Sequence, residues 1–209
     1  MAYRWVATSV AGFVQQLAVS YVGHGYWFYV QGQIPDGKDL TGVDRKLLGR
    51  YEVEVSKWTR ARHKKVGKAR IQYLRLDRQF VLVATRGEHP FFEAEKSQIR
   101  DIRRVPLKFA GYAIGCRRGR DRDRWHPSVR IERSVFHALK RRFREMALQR
   151  SADDLAAELR RLPFEPYAPV LDQVRQLLRA VNRRRKAAGL ELVSTAVSFR
   201  RRAPVRPFG

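Results

Sequence analysis

Acidic side chains are what this chain lacks most. Only 20 Asp and Glu stand against 44 Lys and Arg in 209 residues, a formal net charge of +24. Cysteine is almost absent too, and the single Cys116 excludes an internal disulfide and suits a reducing compartment. Long apolar runs are missing: the stretch near the start is interrupted by Gln15 and Gln16, so neither a membrane span nor a signal-peptide core is expected. A cytoplasmic protein without membrane association is the resulting expectation. The five histidines (His24, His63, His89, His126, His137) never fall at the one- or four-residue spacing that brings two metal ligands together on a strand or helix. That spacing excludes the paired-histidine site of rolling-circle and transposon nucleases, and no metal or cofactor is expected. No repeat of about 20–50 residues is visible.

Core-forming material is plentiful, with 44% hydrophobic and 11% aromatic residues, too much for a disordered basic tail. The charge is also unevenly placed. Residues 1–54 hold five basic and five acidic side chains, so the whole net charge lies beyond residue 54. A folded chain carrying such an excess repels itself, and a standing polyanion partner relieves that repulsion. Nucleic acid is therefore the expected partner.

Apolar spacing behind Thr8 or Ser9 predicts a helix to Tyr21. The run Tyr26 to Ile34 reads as a strand ended by Pro35-Asp36-Gly37, and Thr41 with Asp44 makes a capping-box pattern for a helix through Val43, Leu47, Leu48 and Tyr51. Ser56 to Arg70 holds seven basic residues and no acid, and reads as a solvated mobile loop. Ile71 to Leu74 and Gln79 to Thr85 flank a turn and predict a hairpin. A helix is expected over Pro90 to Ile102, and a last strand within Leu107 to Arg117.

The resulting order, β-α-β-β-α-β, resembles the split βαβ, or ferredoxin-like, arrangement: an α+β fold with a four-stranded antiparallel sheet, two helices on one face and the other face free. In RNA-recognition domains of that architecture the free face stacks single-stranded RNA. A second basic loop follows at Arg117 to Arg124, then one more strand at Ser128 to Ile131 and three helices. The first of these turns Val135, Leu139, Phe143 and Met146 inward. The second is capped by Ser151 and Asp154. The third spans about Pro169 to Ala188, with Gly189 as its stop. The expected organisation is an N-terminal helix (1–24), an α+β nucleic-acid-binding body (25–131) and a helical C-terminal region with a basic tail (132–209).

Three sets of residues are candidates for contact. The first is the loop with Lys57, Trp58, Arg60, Arg62, Lys64, Lys65, Lys68 and Arg70. The second is Trp27 and Tyr29, which alternation puts on one face of their strand, either an open stacking platform or a layer beneath other helices. The third is the cation set of Arg117, Arg118 and Arg120 with Arg179, Arg183, Arg184, Arg185 and Lys186 at the end of the last helix. Lys and Arg neutralise phosphates, while exposed rings stack on unpaired bases. The favoured reading is a non-catalytic RNA-binding component of a ribonucleoprotein, with RNA preferred to DNA and other proteins of the complex as further partners. One alternative is a nuclease or strand-transfer enzyme of a mobile element or defence system, using His24 as a general base or Glu88, His89, Glu93 and Glu95 as metal ligands. Another is an architectural or regulatory DNA-binding protein.

Overall fold

Ser9 starts the first helix: its side chain accepts from the N–H of Gly12, an N-cap that satisfies one of the orphan donors. The computed structural model of the protein, which describes residues 3–119, 124–195 and 205–209, has mixed α+β architecture with antiparallel sheets. Its helix α1 (Val10–Gln15) widens into π-type turns over Gln16–Tyr21 and closes with a 3₁₀ turn, Val22–His24. Phe13, Val14, Leu17, Ala18 and Tyr21 are buried, as the apolar spacing predicts.

Strands β1 (Phe28–Gln33), β2 (Ile71–Leu76), β3 (Gln79–Ala84) and β4 (Arg100–Asp101) form a sheet in the order β2-β3-β1-β4. Every neighbouring pair is antiparallel. Helices α2 (Leu40–Arg50) and α3 (Lys57–Lys65) lie between β1 and β2, and α4 (Pro90–Ala94) lies between β3 and β4.

Four sequence expectations need correction. Helix α4 stops at Ala94, not Ile102, because the Glu95 side chain accepts the Tyr51 hydroxyl and Ile99 returns to the core. Arg100–Asp101 is thereby free to pair with Phe28 and Tyr29 as the fourth strand. The expected last strand, Leu107 to Arg117, instead becomes β5 (Leu107–Phe109) and β6 (Tyr112–Arg118), which with β7 (Trp125–Ile131) make a second sheet in the order β5-β6-β7. The basic loop is the helix α3, because Ser56 caps it by accepting from the Thr59 N–H, a local bond that outweighs the repulsion. Finally, Asp39 rather than Thr41 caps α2, accepting from Thr41 and Gly42, while Asp44 goes inside.

Register assigns the faces of the first sheet. Val30, Leu82 and Tyr73 share one row, and with Leu48, Tyr51 and Phe91 they form a core against α2 and α4. Gly32 is in the next row because the Phe80 ring crosses it: a Cβ there would lie 2.6 Å from the ring. The opposite row of Tyr29, Val83, Val81 and Leu74 is also buried, and α1 packs on β2. The face expected to be free is thus covered. Trp5 and Ala7 bond to Arg75 along the outer edge of β2, so that edge is protected as well.

The chain divides into two compact units. Residues of 1–107, 114–128 and 205–209 belong to the first, and those of 108–113 and 129–204 to the second, so β5, β6 and β7 contribute residues to both. In the second unit α5 (Arg133–Met146), α6 (Ala152–Arg160) and α7 (Ala168–Ala187) follow β7. Ser151 caps α6 from its side-chain oxygen, and Gly189 takes φ +67 after α7. Val170, Val174, Leu177, Leu178 and Val181 are buried, with α7 packed on α5.

Glu132 caps α5, and its carboxylate accepts from Ser134 and Val135 while Lys108 approaches to 2.8 Å. The Lys108 and Ser134 hydrogen bonds hold its carboxyl down at about 2, against an ordinary 4.5. A carboxyl lowered on folding stabilises the fold above its unfolded value and loses that contribution as pH falls. Melting temperature is therefore expected to drop as pH falls from about 4.5 towards about 2, and Glu132→Gln to remove that component. An unchanged acid profile in the variant would show that the cap carries no linkage.

Candidate nucleic-acid interface

Helix α3 is densely cationic. Arg60, Arg62, Lys64 and Lys65 occupy it with His63 and no acid, and none of its described side chains is buried. Like charges at three- and four-residue spacing, such as Arg60 with Lys64, disfavour an isolated helix. What holds it is local: the Ser56 cap, the bond from the Lys68 N–H to the His63 carbonyl, and backbone pairing of Gly67 and Ala69 with Glu88. Lys64, Lys65, Lys68 and Arg62 are exposed and make no ion pair with a carboxylate among the described residues. Trp58 stands out from the same helix at 83% exposure. A large ring left in water beside unpaired cations is what a stacking and phosphate-neutralising surface would present. Of the remaining residues expected here, Lys57 begins the helix, Arg60 is half-buried, and Arg70 is half-buried with its guanidinium 5.3 Å from the Tyr26 ring centre.

The strand aromatics are placed differently. Tyr29 is buried and donates its hydroxyl to the Val105 carbonyl at 3.2 Å, so its expected role as an open stacking ring is corrected. Trp27 is half-buried beneath Arg103, whose guanidinium lies 4.3 Å from its ring centre and 5.8 Å from that of Trp125. Asp101 holds Arg103 in a two-pronged ion pair. Arg118 stacks on Trp125 at 5.3 Å, so the basic end of β6 continues the same ladder. Arg117 is exposed, and Arg120 lies outside the described residues. The Trp27–Arg103–Trp125 arrangement was missed by the sequence reading, since three distant segments supply it.

On α7 the cation cluster divides. Arg179, Arg183, Arg184 and Lys186 are exposed. Arg185 is 3% exposed, and donates to the carbonyls of Ala147, Arg150 and Glu191. It fastens the end of α5 and the segment after α7, and its expected phosphate contact is replaced by that internal role. Two grooves flank the helix. One, of about 510 Å³, is lined by Arg175, Leu178, Arg179, Arg183, Lys186 and Leu192 among others. The other, of about 430 Å³, joins Arg184 to His137, Lys140, Arg141 and Arg144 of α5. Sequence reading passed over Arg175 and the α5 cations, although Arg175, Arg179 and Arg183 repeat at four-residue intervals and so share one helix side.

The residues considered for catalysis have local roles. His89 caps α4 by accepting the Phe91 N–H at Nδ1, and burial pushes its pKa down, which keeps that nitrogen able to accept. Glu93 pairs with Lys96, and Glu95 takes the Tyr51 hydroxyl. Exposed His24 has its ring nitrogen 3.2 Å from the Val19 carbonyl. Burial pushes the Cys116 thiol up to about 11, a poor nucleophile at neutral pH. Among the described residues no three His, Cys, Asp or Glu gather as metal ligands, and no helix is long and apolar enough to cross a membrane. Comparison with family profiles, with curated proteins and with solved structures finds no match to this chain.

Proposed function

We propose that this protein binds nucleic acid, as a non-catalytic RNA-binding component of a ribonucleoprotein. The observation that carries the reading is α3: a helix with exposed, unpaired cations at Arg62, Lys64 and Lys65, no acid, and Trp58 at 83% exposure. Such a helix is disfavoured alone and gains from a polyanion, because each phosphate it neutralises relieves like-charge repulsion and releases counterions. The exposed grooves of the second unit add cations along α7 and α5.

We also read the body as ferredoxin-like. The element order and the β2-β3-β1-β4 antiparallel sheet support that reading. The stacking face used by RNA-recognition domains is covered here, so base contact moves from the sheet to Trp58. RNA is preferred to duplex DNA on that ring alone, since an indole stacks on unpaired bases.

Titration of a labelled single-stranded RNA across a salt series tests both parts. The logarithm of the binding constant is expected to fall linearly with the logarithm of salt, by about 0.7 for each phosphate contacted. Trp58→Ala is expected to weaken binding by about 1–3 kcal/mol while leaving the melting temperature in place. A salt slope near zero would overturn nucleic-acid binding. A steep slope with no loss in Trp58→Ala would leave phosphate-only binding, equally suited to duplex DNA.

A further inference from the structure

We propose that the groove along α7 seats an unpaired stretch of the bound strand, with its phosphates on the arginine row and a base against the leucines. The inference rests on the nucleic-acid reading above, and it assigns the single-stranded segment to a second place besides α3.

The groove is built by one helix and the chain that follows it. Asn182 donates to the Val193 carbonyl at 2.8 Å and accepts the Val193 N–H at 2.9 Å, while buried Arg185 holds the Glu191 carbonyl. These bonds lay residues 190–195 alongside α7 and bring Leu192 opposite the arginine row. Arg175, Arg179 and Arg183 recur every four residues, and Lys186 extends the row, so cationic groups repeat about every 6 Å over about 16 Å. Asp172 engages Arg175 at 2.8 Å, but no carboxylate among the described residues pairs with Arg179, Arg183 or Lys186. A repeating row of this kind complements a linear polyanion.

The lining is not cationic alone. Leu178 is 5% exposed and Leu192 is 47% exposed, which leaves an apolar surface between the charges. A duplex keeps its base faces stacked and out of reach, whereas an unstacked base can cover the leucines. At about 510 Å³ the cavity has the size of ordinary small-ligand sites, roughly 300–1,000 Å³, enough for a nucleotide. Asn182 is spent on Val193, so among the described lining residues Thr195 is the one uncharged polar side chain left to meet a base edge. Binding here is therefore tolerant of sequence.

The experiment compares a labelled oligouridylate with an RNA duplex of equal length, each titrated against the full chain. Arg179→Gln combined with Arg183→Gln is expected to weaken oligouridylate binding about 25-fold at about 0.1 M salt and to lower the salt slope by about 1.4. Leu192→Asn is expected to weaken oligouridylate about fivefold and leave the duplex unchanged. Both changes are on exposed side chains, and unchanged melting confirms that each variant is folded. Failure of the wild-type chain to bind either probe overturns the function and this inference together. Steep salt-dependent binding that the double variant leaves intact overturns the inference alone. Equal loss of both probes in Leu192→Asn overturns the base seat, and polyglutamate binding as tight as oligouridylate, lost in the same double variant, identifies an acidic protein segment as the occupant instead.

Discussion

Replacing Asp44 by Ala is expected to lower folding stability by about 3–5 kcal/mol, the cost of leaving a buried charge without its partner. Asp44 is 2% exposed and Arg75 7% exposed, and the carboxylate accepts Nε and Nη2 of that arginine at 2.9–3.0 Å. It also accepts the Tyr73 hydroxyl at 2.6 Å and the Trp5 Nε1–H at 3.0 Å. One side chain on α2 thus ties together the helix, the edge strand β2 and the N-terminal segment that covers that edge. Alanine leaves a buried guanidinium, an indole N–H and a phenol unsatisfied at once. Since whole domains are stable by only about 5–15 kcal/mol, the first unit should melt at a markedly lower temperature than the parent. Asp39→Ala, which removes only the α2 cap, is expected to cost about 1 kcal/mol. Changing the pair together, Asp44→Leu with Arg75→Met, is expected to restore part of the loss, because it removes the buried guanidinium but leaves the Trp5 N–H and Tyr73 hydroxyl without their acceptor. Chemical denaturation of the three variants checks the ranking; an Asp44→Ala protein within about 1 kcal/mol of the parent would show that the pair does not pin α2.

Asp44 also shows where sequence reasoning stops. In the sequence it stands three residues after Thr41, a spacing that reads as a capping box. Nothing local distinguishes that role from the one it has, because Trp5, Tyr73 and Arg75 come from other segments. Where the determining contacts are local, the reading held: Ser9 and Ser151 cap their helices, the β2–β3 hairpin turns at Asp77 with φ +50, and α7 begins and ends within a residue of its expected bounds. The fourth strand was misplaced for the opposite reason. Leu107 to Arg118 is a stronger strand former than Arg100–Asp101, yet its partner is β7, which draws it into a second sheet.

The candidate interface divides along the same line. The charge of α3 and α7 was visible as composition, but its helical form in α3 was not, since a cap of one side-chain oxygen competes with the five cations of the helix. Alternation put Trp27 and Tyr29 on one face; that Arg103 covers Trp27, that Tyr29 reaches Val105 and that α1 packs on β2 depend on contacts between segments more than fifty residues apart. Of five neighbouring cations, Arg179, Arg183 to Arg185 and Lys186, only the geometry removes Arg185 from the surface.

Removing four exposed cations at α3, by Arg62, Lys64, Lys65 and Lys68→Ala, is expected on the nucleic-acid reading to weaken single-stranded RNA binding about several hundredfold at about 0.1 M salt. The estimate follows from counterion release: four phosphate contacts at about 0.7 each lower the salt slope by about 2.8. The loss should be similar for oligonucleotides of unrelated sequence, because phosphates carry no base identity. Stability should not fall with it. These side chains are exposed and make no ion pair among the described residues, so their removal relieves repulsion within α3 and takes away no packing. Melting of the free variant is expected at or slightly above the parent temperature, and added RNA, which should raise the melting point of the parent through preferential binding to the folded chain, should raise that of the variant far less. Arg142→Gln, whose guanidinium is already paired with Glu158 at 3.0 Å on α6, serves as the charge control and should change affinity by no more than about threefold. An unfolded quadruple variant would mean that the α3 cations hold the body together. Retained affinity with an unchanged slope would move the RNA contact away from α3 altogether and leave the exposed Trp58 without a partner.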